Sequence, residues 1–179
     1  MKISCLVTVR PLLLALAAVL ALGLAPATAS AQQEPKPEVE RKEPNVLMGE
    51  RAYRRFDTLA QLYAENEYQD ALKAAKSYLD GPLSDYERAM GEQLYGFILI
   101  SLDRMEEAVP HFERAVELDA LPNTAHFNLM RSLAQLYASR EEWQRSIDMM
   151  KAYLKFQPEP TPQDRIMMGQ NYAQMERYR

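Results

Sequence analysis

Three stretches of this chain superimpose: EYQDALKAAKSYLDGP (67–82), MEEAVPHFERAVELDA (105–120) and WQRSIDMMKAYLKFQP (143–158). Ala71, Ala108 and Ser146 correspond, at separations of 37 and 38 residues, as do Ala75, Phe112 and Met150, and then Tyr78, Ala115 and Tyr153. An amphipathic unit recurring at that spacing cannot bury its apolar face within one copy, so neighbouring copies must stack. Each stretch is preceded by a second helical pattern, RRFDTLAQLYAE, GEQLYGFILISL and NLMRSLAQLYAS, in which LAQLY occurs twice. RIMMGQNYAQMERY begins a fourth copy. The pattern implies helix pairs, with nothing that alternates as a strand would.

Within a unit the spacing of four and three puts Ala108, Phe112 and Ala115 on one helix face, with a small residue wherever two backbones approach. Gly96, Ala134, Tyr137, Ser146, Tyr153 and Gly169 fall at equivalent packing positions, and both glycines are expected to permit close helix contacts. Helix starts are signalled by Asn66 with Gln69, Ser84 with Glu87 and Asp103 with Glu106, each a candidate capping box. Thr161 before Pro162 fits a cap and a first-turn proline.

These features resemble the tetratricopeptide repeat (TPR), whose units carry L-G-x2-Y in the first helix, a small-aromatic-small series in the second and a closing proline. The likeness runs from about Arg51 to Arg179 and departs in three ways. The first-helix tryptophan is missing, Ala120 stands where proline closes a unit, and Tyr78 and Tyr153 replace a late alanine. The period also exceeds the family's 34 residues, and the excess is assigned to the joints GPLSDYERA and DALPNTAH. The expected fold is an all-α TPR-like solenoid of antiparallel pairs over residues 48–179. Its repeats are expected at about 51–82, 84–120 and 124–158, with a partial copy at 161–179.

The segment before the repeats reads differently. Lys2 and Arg10 precede an apolar run from Leu12 to Leu24, and Ala29-Ser30-Ala31 follows as a cleavage pattern, with Ala27-Thr28-Ala29 competing. This is a secretory signal, expected to be cut after Ala31, with a retained anchor as the alternative. Cys5, the only cysteine, would leave with it, so the mature chain would lack a disulfide. Loss of Lys2 and Arg10 takes the formal charge from −4 to −6, which disfavours nucleic acid as a partner. Residues 32–47 follow as a disordered tether, whose first part, QQEPKPEVERKEP, holds three prolines and seven charged residues.

Catalytic chemistry finds little footing. The two histidines, His111 and His126, belong to no cluster with metal-ligand spacing and are expected at the surface or rim. Glu106-Glu107 and Glu141-Glu142 are adjacent and face apart, which suits helix starts better than paired acid and base. No enzyme motif, cofactor motif or small-molecule site is legible.

Function is therefore expected from a surface. The resemblance implies that first helices line a concave groove that binds a peptide. The inward face reads Tyr53, Phe56, Ala60 and Tyr63, then Met90, Gln93, Phe97 and Ile100, then Asn128, Arg131 and Gln135, with Gln170 and Gln174 beyond. Such a groove would be apolar at one end and amide-rich at the other. The carboxylate clamp of chaperone-binding members is missing, because Phe56 and Ala60 occupy its places. LSDYERA, LAQLYASREEWQRSIDMMKAYL and NYAQMERY further resemble exported TPR proteins that accompany TonB-type energy-transduction systems. The implied role is a periplasmic adaptor of a Gram-negative envelope. A targeting or regulatory module of a larger envelope enzyme and an outer-membrane assembly factor or holdase are the rivals. Ile166, Met167, Met168 and Tyr172 are expected to lack a covering helix, which favours either self-association through the last half-repeat or fraying of the last helix.

Overall fold

A computed structural model describes residues 40–157 and 159–177; the expected signal peptide and residues 32–39 of the tether lie outside these. Seven helices follow in order: α1 (Glu50–Ala64), α2 (Tyr68–Leu79), α3 (Asp85–Ser101), α4 (Met105–Glu117), α5 (Asn123–Ser139), α6 (Trp143–Phe156) and α7 (Pro162–Arg177). No strand occurs among the described residues. Each helix packs on its neighbours in sequence, and α1 also reaches α3. The result is a TPR-like solenoid in which α1, α3, α5 and α7 are first helices and α2, α4 and α6 their hairpin partners.

Hairpin turns at 65–67, 102–104 and 140–142 share one geometry. Asn66, Asp103 and Glu141 take φ of 63°, 58° and 61°. In each, the following amide donates to a carbonyl near the end of the first helix: Glu67 to Leu62, Arg104 to Leu99 and Glu142 to Tyr137, all at 2.9 Å. This is the 6→1 bond of a helix-closing Schellman turn. Asn66 and Asp103 are therefore left-handed closing residues, correcting their expected role as caps; Glu67 and Arg104 hold the cap positions without a side-chain bond. The box at Ser84 does form, with Glu87 N donating to Ser84 Oγ at 3.3 Å and Ser84 N to Glu87 Oε2 at 2.8 Å. The expected excess in the joints is also corrected in part. Asp85 and Asn123, which start the two 17-residue helices, lie inside those segments.

The core is a chain of three clusters. Leu59, Ala71, Ala75, Tyr78 and Ile98 join α1, α2 and α3. Leu99, Ala108, Phe112, Ala115, Leu121, Leu129, Leu133 and Tyr137 join α3, α4 and α5. Met130, Ala134, Met150 and Tyr153 join α5 and α6, and Met167 and Met168 of α7 pack against them.

Helix α3 holds the middle because its glycines admit a ring from each side. A Cβ on Gly91 would lie 2.7 Å from Tyr78 of α2, and one on Gly96 would lie 2.3 Å from Cε1 of the Phe112 ring of α4. Gly169 differs from the packing role expected of it. It is exposed and a Cβ there would meet nothing within 4 Å, since no helix lies opposite that face of α7 among the described residues.

Helix α7 is seated by polar groups. Asn171, 2% exposed, donates through Nδ2 to Ser146 Oγ at 2.7 Å, and Ser146 Oγ donates to the carbonyl of Ala134 at 2.7 Å. Ile166 and Tyr172 remain exposed, whereas Met167 and Met168, expected to be bare, are partly covered.

Candidate functional site

A depression of about 320 Å³ opens between the C-terminal halves of α3 and α5. Phe97, Ile100, Met105 and Leu136 give it apolar walls, and buried Phe112 lies at its base. Ser132, Gln135 and Ser139 supply hydroxyl and amide groups from α5. An apolar hollow with a few polar groups on one wall suits an aliphatic or aromatic side chain carried on a peptide.

Three of the expected groove residues, Phe97, Ile100 and Gln135, meet in this hollow. The others are spread. Tyr53 is 57% exposed on α1, and half-buried Phe56 packs against the first core cluster, edge-on to Tyr78 with ring centroids 5.6 Å apart. Tyr63 leans on Tyr68 at 5.7 Å. Met90 is partly buried against the central cluster, Gln93 is half-buried, and Asn128 is exposed. Arg131 is committed elsewhere, with Nε donating to Asp164 Oδ1 at 2.9 Å and its guanidinium over Tyr153 at 5.9 Å. Phe97 has two duties, since it also packs edge-on to Phe112 at 5.1 Å. Met105, Ser132, Leu136 and Ser139 were not singled out from sequence. For Ser132, Leu136 and Ser139 the helical spacing of three and four on α5 is the signal that could have found them, whereas Met105 enters from α4.

His126 departs from the expected surface or rim placement, whereas His111 is half-buried. The His111 ring stacks on Tyr95 at 3.9 Å with Nδ1 2.6 Å from Glu92 Oε2, and Arg114 donates to both oxygens of Glu92 at 3.0 and 3.1 Å. Burial pushes the Glu92 carboxyl up, but hydrogen bonds from His111 and Arg114 outweigh this and hold it below its ordinary value. Glu92 thus ties α3 to α4 as an anion.

His126 on α5 is 4% exposed, with Nε2 3.7 Å from Asp119 Oδ1 and Nδ1 buried without a partner. Burial lowers its pKa, Arg41 adds to the lowering, and Asp119 partly offsets it. The sign of the consequence follows from linkage. Above the ordinary value of 6.5 both folded and unfolded chains hold this ring neutral. Below it the unfolded chain takes a proton that the folded chain refuses, so stability falls as pH drops from 6.5 toward the lowered folded value. We expect the denaturation midpoint of the wild type to decline over that window and His126→Gln to flatten the decline. Parallel slopes for the two proteins would refute the assignment.

Among the described residues no group of three or more His, Cys, Asp and Glu is placed to hold a metal ion. No helix there is long and apolar enough to cross a membrane.

No protein-family model matches the chain, and no curated protein matches it in sequence. In fold it is similar to a Podosopora anserina crystal structure described as kinesin light chain nearly identical TPR-like repeats, with a TM-score of 0.51 and 13% identity. The match covers 70% of this chain and 67% of that one. At that identity the likeness is one of fold alone, and it agrees with the helix-pair stacking seen here.

Proposed function

We propose that this chain is a non-catalytic adaptor that holds a segment of another protein on the face made by its first helices. The observation that carries this reading is the open hollow between α3 and α5, apolar at the base and polar along the α5 wall. The finer reading places the adaptor in the periplasm of a Gram-negative bacterium and its partner among envelope proteins of a TonB-type system. Support for that comes from the signal pattern ending at Ala31 and from the likeness of LSDYERA and NYAQMERY to exported TPR proteins.

The test is a crosslinking pull-down from the envelope fraction, comparing the wild type with Ser132→Trp. Ser132 lines the open hollow and is only half-buried, so a large side chain there fills the site with little cost to the fold. Capture of the specific partner should fall about tenfold or more, the equivalent of losing one buried anchor of about 1.4 kcal/mol. Equal capture by both proteins, with helicity unchanged, would overturn the site. A partner outside the TonB-type machinery would overturn only the finer reading.

A further inference from the structure

Residues 40–47 were expected to be part of a disordered tether, yet they lie against the array 78 residues away in sequence. Arg41, whose side chain is 6% exposed, donates through Nε to Asp119 Oδ1 at 2.6 Å and through Nη2 to the Asp119 carbonyl at 2.7 Å. Its Nη1 donates to Asn123 Oδ1. Asn123 answers twice: its Nδ2 donates to the Arg41 carbonyl at 3.4 Å, and its backbone amide to Glu43 Oε1 at 3.1 Å.

The chemistry of the seat explains these contacts. Helix α5 starts after Pro122, which offers no side-chain acceptor, whereas α3 carries its own serine box. The first amides of a helix need acceptors, and the positive end of its dipole favours an anion, so Glu43 acts as a cap delivered from elsewhere in the chain. Asp119, held at φ 48°, turns both its carboxylate and its carbonyl to one guanidinium. His126 stands beside the same carboxylate, with Nε2 3.7 Å from Asp119 Oδ1, and its other ring nitrogen, Nδ1, is buried without a partner.

Little else holds the strap between this seat and Met48. Val46 is 45% and Leu47 76% exposed, and the next fastening is the amide of Gly49 donating to Glu87 Oε1 at 2.7 Å. A segment fixed by polar contacts, with scant apolar burial, opens locally at low cost.

We propose that the α4–α5 joint is a second recognition site, separate from the hollow, for an extended segment bearing arginine two residues before an acid. Arg41 and Glu43 fill it in cis, and a partner segment with the same Arg-x-Glu chemistry takes it by displacing them. Asp119 and Asn123 read the arginine, and the α5 amino end reads the acid. The site stands or falls independently of the adaptor reading.

Hydrogen exchange of the Asn123 amide in the full chain tests this. Arg41→Ala lies outside every helix and leaves the array intact, but it should raise the exchange rate at Asn123 about tenfold, as expected for losing charge-assisted bonds. A synthetic peptide ERKEPN, added in excess to that variant, should restore protection. The same peptide with alanine for its arginine should not. Asp119→Asn combined with Arg41→Ala should abolish the rescue. Wild-type exchange in Arg41→Ala would show that the arginine does not hold the strap, and faster exchange without rescue would show that the joint recognises nothing in trans; either overturns the proposal.

Discussion

Phe112→Ala should lower the free energy of unfolding by about 3–5 kcal/mol, the usual cost of emptying a buried aromatic site that cannot collapse. Phe112 is 1% exposed, lies on Gly96 and meets Phe97 edge-on, so its removal hollows the contact between α3 and α4. A denaturant melt reads this directly, and a loss under 1 kcal/mol would show that the repeat does not depend on that ring. Gly96→Ala tests the other side of the contact. Alanine gains about 0.5–1 kcal/mol of helix propensity over glycine. Its Cβ would press on the edge of the Phe112 ring at 2.3 Å, and overpacking costs about 1–3 kcal/mol, so the net sign is destabilising. Two further variants decide whether the cause is the ring. Gly169→Ala, where a Cβ meets nothing within 4 Å, should stabilise by the propensity term alone. Gly96→Ala with Phe112→Leu should cost less than the sum of the singles, because the smaller side chain vacates the space the new methyl needs. Additive losses would mean that the glycine serves some purpose other than close approach.

Packing of this kind is legible in a sequence because it recurs at fixed steps. The series through Ala71, Ala75 and Tyr78 and through Ala108, Phe112 and Ala115 is wholly buried, and the register of the helices follows from it. The turns were less legible because asparagine and aspartate serve two ends of a helix equally well. Both can cap a start with a side-chain oxygen, and both tolerate the left-handed backbone that closes an end. Glu141 adopts that same backbone without belonging to either type, so the geometry is imposed by the hairpin rather than announced by the residue. The hollow was half-legible: Phe97, Ile100 and Gln135 come from the two first helices, but Met105 and Phe112 enter from α4, which a reading of first helices alone leaves out. The strap was illegible for a different reason. A charged, proline-rich stretch cannot bury itself, and nothing local says that one arginine has a carboxylate waiting 78 residues on. His126 suffers the same blindness, since a lone histidine gives no periodic signal of burial.

Asp164→Ala should free α7 while leaving the rest of the array in place. Asp164 is 1% exposed and accepts from three donors: Arg131 Nε at 2.9 Å, Thr161 N at 2.9 Å and Thr161 Oγ1 at 2.8 Å. Its own amide donates to Thr161 Oγ1 at 3.2 Å, so Thr161 and Asp164 together close the start of the helix. Losing such a cap costs about 1 kcal/mol. Removing one partner of a fully buried ion pair costs about 3–5 kcal/mol, but the side chain of Arg131 is 29% exposed and regains water, so about 2 kcal/mol is the fitting share. The total of about 3 kcal/mol corresponds to roughly a hundredfold loss of hydrogen-exchange protection. Its location matters more than its size. In a stacked array each repeat contacts only its neighbours, and α7 packs chiefly on α6, so the loss should be concentrated in residues 162–177. Asn171 and Ser146 then become the remaining polar seat, and Met167 and Met168 the remaining apolar one. Unchanged protection across α7 would show that these suffice without Asp164. A loss shared equally by α1 to α4 would show that the chain unfolds as one cooperative block, and the nearest-neighbour picture of its repeats would have to be abandoned.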